Sequence, residues 1–272
     1  MSDMFVDLQM HTTASDGAWA KEKIFDEIRA KNLELFSVTD HDTIAAYPVP
    51  DDLAPRCVPG LEVDTEHAGH TVHLLAYGVT SDTSPLLTAL RKQREEREVR
   101  MKAIIERMNG LGVTVTYDDV LMQVKGGASV GRPHLARALL AKGYVSNIQE
   151  AFDKYLADGE KGFVKLKRLT SDQIIDLIHQ SGGICVIAHP KRLREPQHLE
   201  EIYKFGADGV EVVHPTATPE DEAAYYAFAD ERGLVTTGGS DFHAPETHPP
   251  LGVHLAKDRV DRFLERVAAV IA

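Results

Sequence analysis

Histidine, aspartate and glutamate side chains in this sequence occur repeatedly where an apolar run ends. The residues in such positions are His11 and Asp16, Asp40 and His41, Glu62, His73, His189, His214, and Asp241 with His243. Almost no lysine or arginine accompanies them, so packing them together would bring carboxylates close to one another and would strip the imidazoles of water. A divalent metal ion removes this conflict, because neutral imidazole and carboxylate are both suitable ligands. The pattern therefore predicts a metal centre.

The remaining histidines carry a weaker signal. We expect five of them to be surface, capping or solvated residues: His67, His70, His179, His198 and His254. His73 differs from its neighbours because it begins the apolar run at residues 74–77. Asp241 and His243 follow Gly238-Gly239 and are two residues apart, so both side chains can face the same cavity.

Apolar runs typical of strands alternate with helical patterns along most of the chain. Strands are predicted at residues 5–9, 35–39, 58–63, 71–77, 184–188, 209–213 and 234–237. Helices are predicted between them at residues 19–32, 171–180, 197–205, 219–231 and 259–271. This alternation predicts an α/β fold with a mainly parallel sheet. In a β/α barrel the loops after the strands build the active site, and the polar residues above fall in those loops.

A mostly helical stretch interrupts this alternation, with patterns at residues 86–108, 132–142 and 147–156. We therefore predict that residues 1–84 and 166–272 form a metal-binding domain. Residues 85–165 then form a helical insert, which we expect to contribute to substrate binding.

The charge distribution points to an anionic ligand of the insert. The chain of 272 residues has a net charge of −12, yet residues 121–168 carry nine Lys or Arg against four acidic residues. Ser129, Arg132 and His134 stand at the predicted start of a helix, where backbone N–H groups and a guanidinium favour phosphate. Lys161 is a second candidate anchor. The alternative is an ordinary helix cap with solvated cations.

Composition narrows the class of protein. With 43% hydrophobic and 26% charged residues, the chain has the make-up of a folded globular protein. No uncharged apolar run approaches the roughly 20 residues that span a bilayer, and the first seven residues lack the order of a signal peptide. Cys57 and Cys185 fit reduced thiols better than a disulfide framework. We expect a soluble cytoplasmic protein, with no membrane or protein partner implied.

Several short motifs occur in a recognisable order. They are Asp7-Leu8-Gln9-Met10-His11-Thr12, Ser15-Asp16-Gly17, Thr39-Asp40-His41-Asp42, Gly60-Leu61-Glu62, His73, Ala188-His189-Pro190 and Ser240-Asp241-Phe242-His243. Together they resemble the PHP (polymerase and histidinol phosphatase) family of the amidohydrolase superfamily. The resemblance covers nearly the whole chain outside the insert. It implies a distorted (β/α)7 barrel with two or three divalent metal ions at the carboxyl ends of the strands.

The resemblance also implies a set of ligands for each ion. The first ion would be held by His11, Glu62 and Asp241, the second by Glu62, His73 and His189, and the third by Asp16, His41 and His243. The family usually has His-x-His in the first motif, whereas this chain has Gln9 in place of the first histidine. An amide oxygen binds transition metals less well than imidazole, so the first site is expected to be weakened. We expect Mn²⁺, with Zn²⁺, Fe²⁺ or Mg²⁺ as alternatives.

The activity implied by the resemblance is phosphoester hydrolysis, in which a metal pair lowers the pKa of a bound water and holds the phosphoryl oxygens. Metals and a basic insert together suggest a substrate with two phosphates. The segment Gly131-Arg132-Pro133-His134 resembles the branch that acts on nucleotides, which implies removal of the 3'-phosphate from nucleoside 3',5'-bisphosphates. Alternative substrates are short 5'-phosphorylated RNA, degraded from its 5' end, and histidinol phosphate.

The residues that could assist the leaving oxygen lie in the same loops. The candidate catalytic residues are His243, His41, His214 and Asp40. An imidazole that binds a metal tightly is not also a free acid, so a protonated water is an equal candidate for this role.

Overall fold

The computed structural model describes residues 2–124, 130–157, 159–165, 168–245 and 248–271. Its Cα positions divide the chain into two compact units. The first unit comprises Met1–Thr88 and Leu169–Ala272, and the second comprises Ala89–Arg168.

The secondary structure of the described residues follows the alternation of apolar runs. The strands are β1 (Asp3–Asp7), β2 (Leu35–Phe36), β3 (Gly60–His67), β4 (His70–Tyr77), β5 (Ile184–Ile187), β6 (Gly209–Val213), β7 (Val235–Gly238) and β8 (Val253–Ala256). The helices are α1 (Lys21–Lys31), α2 (Pro85–Gly110), α3 (Tyr117–Leu121), α4 (Arg132–Ala141), α5 (Ile148–Ala151), α6 (Ser171–Gln180), α7 (Gln197–Lys204), α8 (Pro219–Arg232) and α9 (Lys257–Ile271). Strand β8 and helix α3 are missing from the prediction, because four or five residues are too few for a clear periodicity.

The strands of the first unit form two sheets, with the orders β2-β1-β8 and β3-β4-β5-β6-β7. The α/β class is therefore confirmed. The expected closed (β/α)7 barrel is not formed by the described strands, and the expected parallel pairing holds only for β1 with β2 and for β5, β6 and β7. Strands β3, β4 and β5 pair antiparallel, as do β1 and β8.

A two-residue turn explains why β3 and β4 pair antiparallel and not parallel. Ala68 and Gly69 have φ angles of 50° and 81°, which match the turn that joins tightly twisted antiparallel strands. The turn sets the register of the β3–β4 hairpin, in which Asp64 lies opposite His73 and Glu62 lies opposite Leu75. Because side chains alternate along a strand, Glu62 and Asp64 project from the same face. The hairpin thus brings Glu62, Asp64 and His73 together.

Single backbone hydrogen bonds connect the edges of the two sheets. The N–H of Leu8 donates to the carbonyl of Gly238 at 3.0 Å, which joins the end of β1 to β7. The N–H of Val58 donates to the carbonyl of Phe36 at 3.0 Å, which joins β2 to the residues before β3. The carboxyl ends of the strands in both sheets are therefore held close together.

The core of the first unit lies between the strands and helix α9. Val260, Phe263 and Val267 recur on one face of α9 and are buried against the strands. The ring of Phe263 meets the ring of Tyr77 edge to face, with 5.0 Å between their centroids. The Tyr77 hydroxyl donates to the carbonyl of Leu8 at 2.8 Å, so this packing also fixes the chain just after β1.

The second unit has a hydrophobic core of its own. Met101, Ile104 and Met108 on helix α2 pack with Leu135 and Leu139 of helix α4. Helix α5 continues as a π-helical turn at Phe152–Leu156, whose last residue is also buried in this cluster. The basic segment therefore belongs to a packed helical unit.

Replacing Phe263 with alanine tests the role of helix α9. We expect Phe263→Ala to lower the free energy of unfolding of the first unit by about 3–5 kcal/mol, because it leaves a cavity in the core. Urea unfolding followed by the fluorescence of Trp19, which packs in the first unit, measures this change. Phe205→Ala is the control, since Phe205 is 40% exposed, and we expect it to cost less than about 1 kcal/mol. Equal losses in the two variants would contradict the assignment.

Candidate metal centre

The polar residues predicted to form a metal centre lie together in the first unit. They occupy the segments that follow β1, β2, β5, β6 and β7 and the β3–β4 hairpin, in which Glu62 is the third residue of β3 and His73 is the fourth residue of β4. Each of the strands β1 to β7 supplies at least one of them, in the order His11 and Asp16, Asp40 and His41, Glu62, His73, His189, His214, and Asp241 with His243. Backbone hydrogen bonds hold neighbouring loops in place. The N–H of His11 donates to the carbonyl of Phe242 at 2.9 Å, and the N–H of Asp42 donates to the carbonyl of Glu62 at 2.8 Å.

Glu62 is the centre of the cluster. Its Oε1 lies 2.8 Å from Nδ1 of His73 and 3.0 Å from Nε2 of His189, and its Oε2 lies 3.0 Å from Nε2 of His11. The side chain is only 1% exposed. Burial by itself would raise the pKa of Glu62, but the neighbouring imidazoles hold that pKa well below its ordinary value. Glu62 is therefore an anionic group that contacts ligands of both the first and the second predicted sites.

Asp241 completes the first predicted set. Its Oδ1 lies 3.4 Å from Nε2 of His11, and its Oδ2 lies 3.3 Å from Nε2 of His214. Burial would lower the pKa of His11, yet the nearby carboxylates of Asp241 and Glu62 raise that pKa well above its ordinary value. The two carboxylates therefore favour a cation at this position.

The third predicted set lies on the open side of the cluster. Nε2 of His243 is 3.3 Å from Oδ1 of Asp16, and Nε2 of His41 is 3.8 Å from Oδ2 of Asp16. The side chain of Asp16 is 50% exposed, whereas those of His41 and His243 are 21% and 19% exposed. Solvent and substrate can therefore reach this set.

Buried polar atoms without partners show that the cluster suits a metal ion. Among the described residues, both ring nitrogens of His11 and both polar atoms of the Gln9 amide are buried without a well-aligned hydrogen bond. Such unsatisfied groups are rare in proteins because each loses the hydrogen bonds it makes in water. Imidazole and amide groups can instead direct their lone pairs at a cation. The donor set therefore fits divalent metal ions.

The backbone is unusual where the ligands enter the site. His189 and Asp241 have φ angles of 27° and 49°, in a region that side chains other than glycine seldom adopt. The N–H of His189 donates to Oε2 of the buried Glu211 at 2.8 Å, which supports this turn. Burial raises the pKa of Glu211 well above its ordinary value.

Two of the predicted catalytic residues are engaged by other protein groups. Oδ1 of Asp40 accepts hydrogen bonds from the N–H of Thr12 and the hydroxyl of Ser15, at 2.7 Å and 2.6 Å. Asp40 therefore holds the loop between His11 and Asp16. Nδ1 of His214 accepts from the N–H of Thr216 at 3.1 Å, which leaves Nε2 to donate toward Asp241. Whether His214 also reaches the leaving oxygen stays a prediction.

Sequence reasoning misses two residues at the metal centre. Nη1 of Arg192 lies 3.0 Å from Oδ2 of Asp241, and Oδ1 of Asp64 lies 3.4 Å from Nδ1 of His41 and 3.3 Å from Nε2 of His73. The sequence positions of both residues could have indicated that they lie near the metal centre. Arg192 comes three residues after His189, and Asp64 shares a strand face with Glu62.

The residues predicted to bind a distal phosphate belong to the second unit. Arg132 donates to the carbonyl of Leu156 at 2.9 Å, and its guanidinium lies 5.7 Å from the centre of the Phe163 ring. Nδ1 of His134 accepts from the N–H of Gly131 at 3.1 Å, and Lys161 is exposed. Ser129 lies outside the described residues. Their role in binding stays a prediction.

Removing the charge of Glu62 tests its central position. We expect Glu62→Gln to weaken metal binding by more than about 100-fold, because even changes outside the ligand shell cost about 10–100-fold. Metal bound after equilibrium dialysis against Mn²⁺, counted by plasma mass spectrometry, measures the effect. Glu66→Gln is the matched control, because Glu66 lies about 13 Å further along the same strand. Equal metal contents in the two variants would rule out Glu62 as a ligand.

Restoring a histidine at position 9 tests the first site. We expect Gln9→His to tighten binding of the weakest metal ion by about tenfold, which needs only about 1.4 kcal/mol from the added imidazole. Calorimetric titration of the metal-free protein with Mn²⁺ measures this gain. Gln9→Met keeps a similar volume without a good ligand for Mn²⁺ and should not show it. The prediction fails if both variants bind as the parent does.

Relatives with named activities share most of this chain. It is 34% identical over 251 residues to 5'-3' exoribonuclease Rnm of Escherichia coli, which covers 88% of this chain and 85% of that protein. It is 31% identical over 249 residues to 3',5'-nucleoside bisphosphate phosphatase of Chromobacterium violaceum, which covers 88% and 87%. It is 32% identical over 269 residues to a 5'-3' exoribonuclease of Haemophilus influenzae, which covers 95% and 96%. No family model matches the chain.

Solved structures also match along the chain. One is described as a metal-dependent phosphoesterase from Bifidobacterium adolescentis, with a TM-score of 0.75, 28% identity and 96% of each chain covered. Another is an amidohydrolase from Chromobacterium violaceum with bound sulfate and no metal, with a TM-score of 0.73, 27% identity, and 94% of this chain and 96% of that chain covered.

The described part of the chain contains no helix that is both long and apolar enough to cross a membrane. The relatives above 30% identity align with most of this chain and most of their own length. The chain belongs to the PHP family of metal-dependent phosphoesterases.

Proposed function

We propose that this protein hydrolyses the 3'-phosphate of nucleoside 3',5'-bisphosphates and converts adenosine 3',5'-bisphosphate to AMP and phosphate. In this reaction a water oxygen bonds to phosphorus, the bond from phosphorus to ribose O3' breaks, and O3' takes up a proton. The observation that carries the proposal is the buried carboxylate of Glu62 in contact with three imidazoles, in a member of a family of metal-dependent phosphoesterases.

The ligand sets proposed for the metals are those that the family resemblance implies, and contacts within each set support them. They are His11, Glu62 and Asp241; Glu62, His73 and His189; and Asp16, His41 and His243. Bound there, divalent metal ions lower the pKa of a water molecule and stabilise negative charge on phosphoryl oxygens. We propose Mn²⁺ as the ion, with Zn²⁺, Fe²⁺ or Mg²⁺ as alternatives.

The open side of the metal centre supplies groups for the phosphoryl group and for the leaving oxygen. Arg192 is 45% exposed and contacts Asp241, so its guanidinium lies where it can bind two phosphoryl oxygens at once. His41 and His243, two partly exposed imidazoles of the described cluster, are proposed to hold the proton that O3' receives. A water molecule beside them is the alternative donor. Asp40 and His214 are proposed to position the loop after β1 and the Asp241 carboxylate.

The distal 5'-phosphate is proposed to bind in the second unit, at Ser129, Arg132 and His134 with Lys161. The start of helix α4 supports this assignment, because its first turn combines backbone N–H groups with the side chains of Arg132 and His134. The excess of positive charge in residues 121–168 supports it too. A relative of known structure binds sulfate, an anion with the shape of phosphate, and another relative is named for a nucleotide with two phosphates.

A second candidate function is 5'-to-3' hydrolysis of short RNA. Relatives above 30% identity are named 5'-3' exoribonucleases, including those from Escherichia coli and Haemophilus influenzae. The chemistry is shared, because a 5'-exonuclease also breaks a bond from phosphorus to O3' in a nucleotide that has a 5'-phosphate. The two substrates differ only in whether the 3' phosphoryl group carries a further nucleotide. Histidinol phosphate has a single phosphate and would make no use of the basic unit.

We also propose that the two sheets act as one distorted (β/α)7 barrel. The hydrogen bonds from Leu8 to Gly238 and from Val58 to Phe36 support this view, since each joins the edge of one sheet to the other.

A comparison of substrates tests the function. Phosphate or nucleotide release is measured with Mn²⁺ on adenosine 3',5'-bisphosphate, 3'-AMP, histidinol phosphate and a 5'-phosphorylated RNA trimer. We expect fast turnover of the bisphosphate and slow turnover of 3'-AMP, which lacks the distal phosphate. If the trimer alone is cut, the protein is an exonuclease. A preference for histidinol phosphate or 3'-AMP would refute recognition of two phosphates.

Removing Arg132 tests the distal phosphate site. We expect Arg132→Ala to raise KM for adenosine 3',5'-bisphosphate by about tenfold or more, as the loss of a charged hydrogen bond predicts, and to change kcat little. KM for 3'-AMP should stay the same. Arg137→Ala, an exposed arginine on the same helix, is the matched control. Parent-like kinetics of Arg132→Ala would remove this unit from the site.

A further inference from the structure

A second cluster of metal-ligating side chains lies in the first unit, away from the metal centre. Nε2 of His67, at the end of β3, is 2.6 Å from Oε2 of Glu201 on helix α7. The ring of His198, on the same helix, lies 4.9 Å from the ring of His67 and 6.1 Å from the ring of His70. His67 is five residues beyond Glu62 on one strand, a separation of about 16 Å. The two clusters are therefore distinct.

The burial of His198 contradicts its expected place at the surface. The residue is 4% exposed, and its Nδ1 is buried without a hydrogen-bond partner among the described residues. A buried imidazole nitrogen without a partner loses the hydrogen bond that it makes in water, which destabilises the folded chain. Bonding to a metal ion through either ring nitrogen would give this imidazole a partner and let the other nitrogen donate to a neighbouring group.

The positions of the ligands suit a single ion. His198 and Glu201 are three residues apart on α7, so their side chains lie on the same face of the helix. One ligand atom from each of His67, His198 and Glu201 lies within 4.8 Å of the others. In a tetrahedral zinc site with bonds of about 2.1 Å, ligand atoms stand about 3.4 Å apart. Side-chain rotations would be needed to bring these three atoms to that spacing.

We propose that His67, His198 and Glu201 bind a zinc ion that links the β3–β4 hairpin to helix α7. Two imidazoles and one carboxylate form a common zinc ligand set, and a water molecule or His70 on the adjacent turn completes the tetrahedron. Glu201 is 45% exposed, so the ion can reach the site from solvent. The zinc ion would stabilise the β3–β4 hairpin, which carries Glu62 and His73 farther from its turn, without touching the substrate.

The zinc content of matched variants tests the proposal. Protein stripped with a chelator is dialysed against micromolar Zn²⁺, and bound zinc is counted by plasma mass spectrometry. Glu201→Gln is expected to hold one zinc fewer per chain than the parent. Glu200→Gln is the control, because this neighbouring carboxylate pairs with Arg232 and lies outside the cluster. His198→Ala is expected to lose the same ion, and Glu201→Gln, at an exposed position, keeps the test valid if His198→Ala fails to fold.

A second set of variants, made in Glu62→Gln protein, distinguishes this zinc ion from ions bound at the metal centre. In Glu62→Gln protein, the zinc ion that remains is expected to disappear on further substitution of Glu201. Cobalt in its place should give the strong visible absorption of a tetrahedral ion. Turnover with saturating Mn²⁺ is expected to be the same in Glu201→Gln and the parent. Equal zinc contents in Glu201→Gln, Glu200→Gln and the parent would overturn the proposal, whatever substrate the enzyme takes.

Discussion

The buried charge of Glu62 is the constraint on which the rest of the structure depends. A carboxylate that is 1% exposed loses its hydration, which costs several kcal/mol unless cations surround it. Imidazoles of His11, His73 and His189 lie within 3.0 Å of it. Burial would lower the pKa of His73, yet the charge of Glu62 raises it to about 9, whereas burial lowers the pKa of His189. Binding divalent ions must therefore release protons, and metal affinity must fall as the pH falls.

The fold is organised so that this costly cluster keeps one geometry. The ligands come from the β3–β4 hairpin and from the segments that follow β1, β2, β5 and β7, and buried groups behind them fix the loops. Asp7 accepts hydrogen bonds from the N–H and the hydroxyl of Ser240 at 3.0 Å and 2.7 Å, which holds the turn before Asp241. Asp40 accepts a hydrogen bond from the N–H of Thr12 in the loop after β1, and Glu211 accepts one from the N–H of His189. The ligands are thus held in place by a layer of carboxylates that never meets the substrate.

Much of the metal centre could be predicted from the sequence, because the ends of apolar runs can be recognised locally and the polar residues follow them directly. The α/β alternation could be predicted for the same reason. The pairing of the strands could not be predicted from periodicity, since the antiparallel pairing of β3 with β4 depends on the two-residue turn at Ala68 and Gly69. Contacts between residues far apart in the sequence could not be predicted either. The position of Arg192 three residues after His189 places it near the metal centre, but its ion pair with Asp241 and the burial of His198 depend on how loops and helices pack.

Crystals grown with Mn²⁺ and measured near the manganese absorption edge would show whether Glu62 binds the metal ions, because anomalous scattering locates the ions themselves. We expect anomalous peaks within bonding distance of Glu62, with His73 and His189 as further ligands of one ion and His11 and Asp241 as ligands of another. A third peak is expected between Asp16, His41 and His243. Well-ordered crystals of the active, manganese-loaded enzyme with no anomalous density beside Glu62 would contradict this expectation.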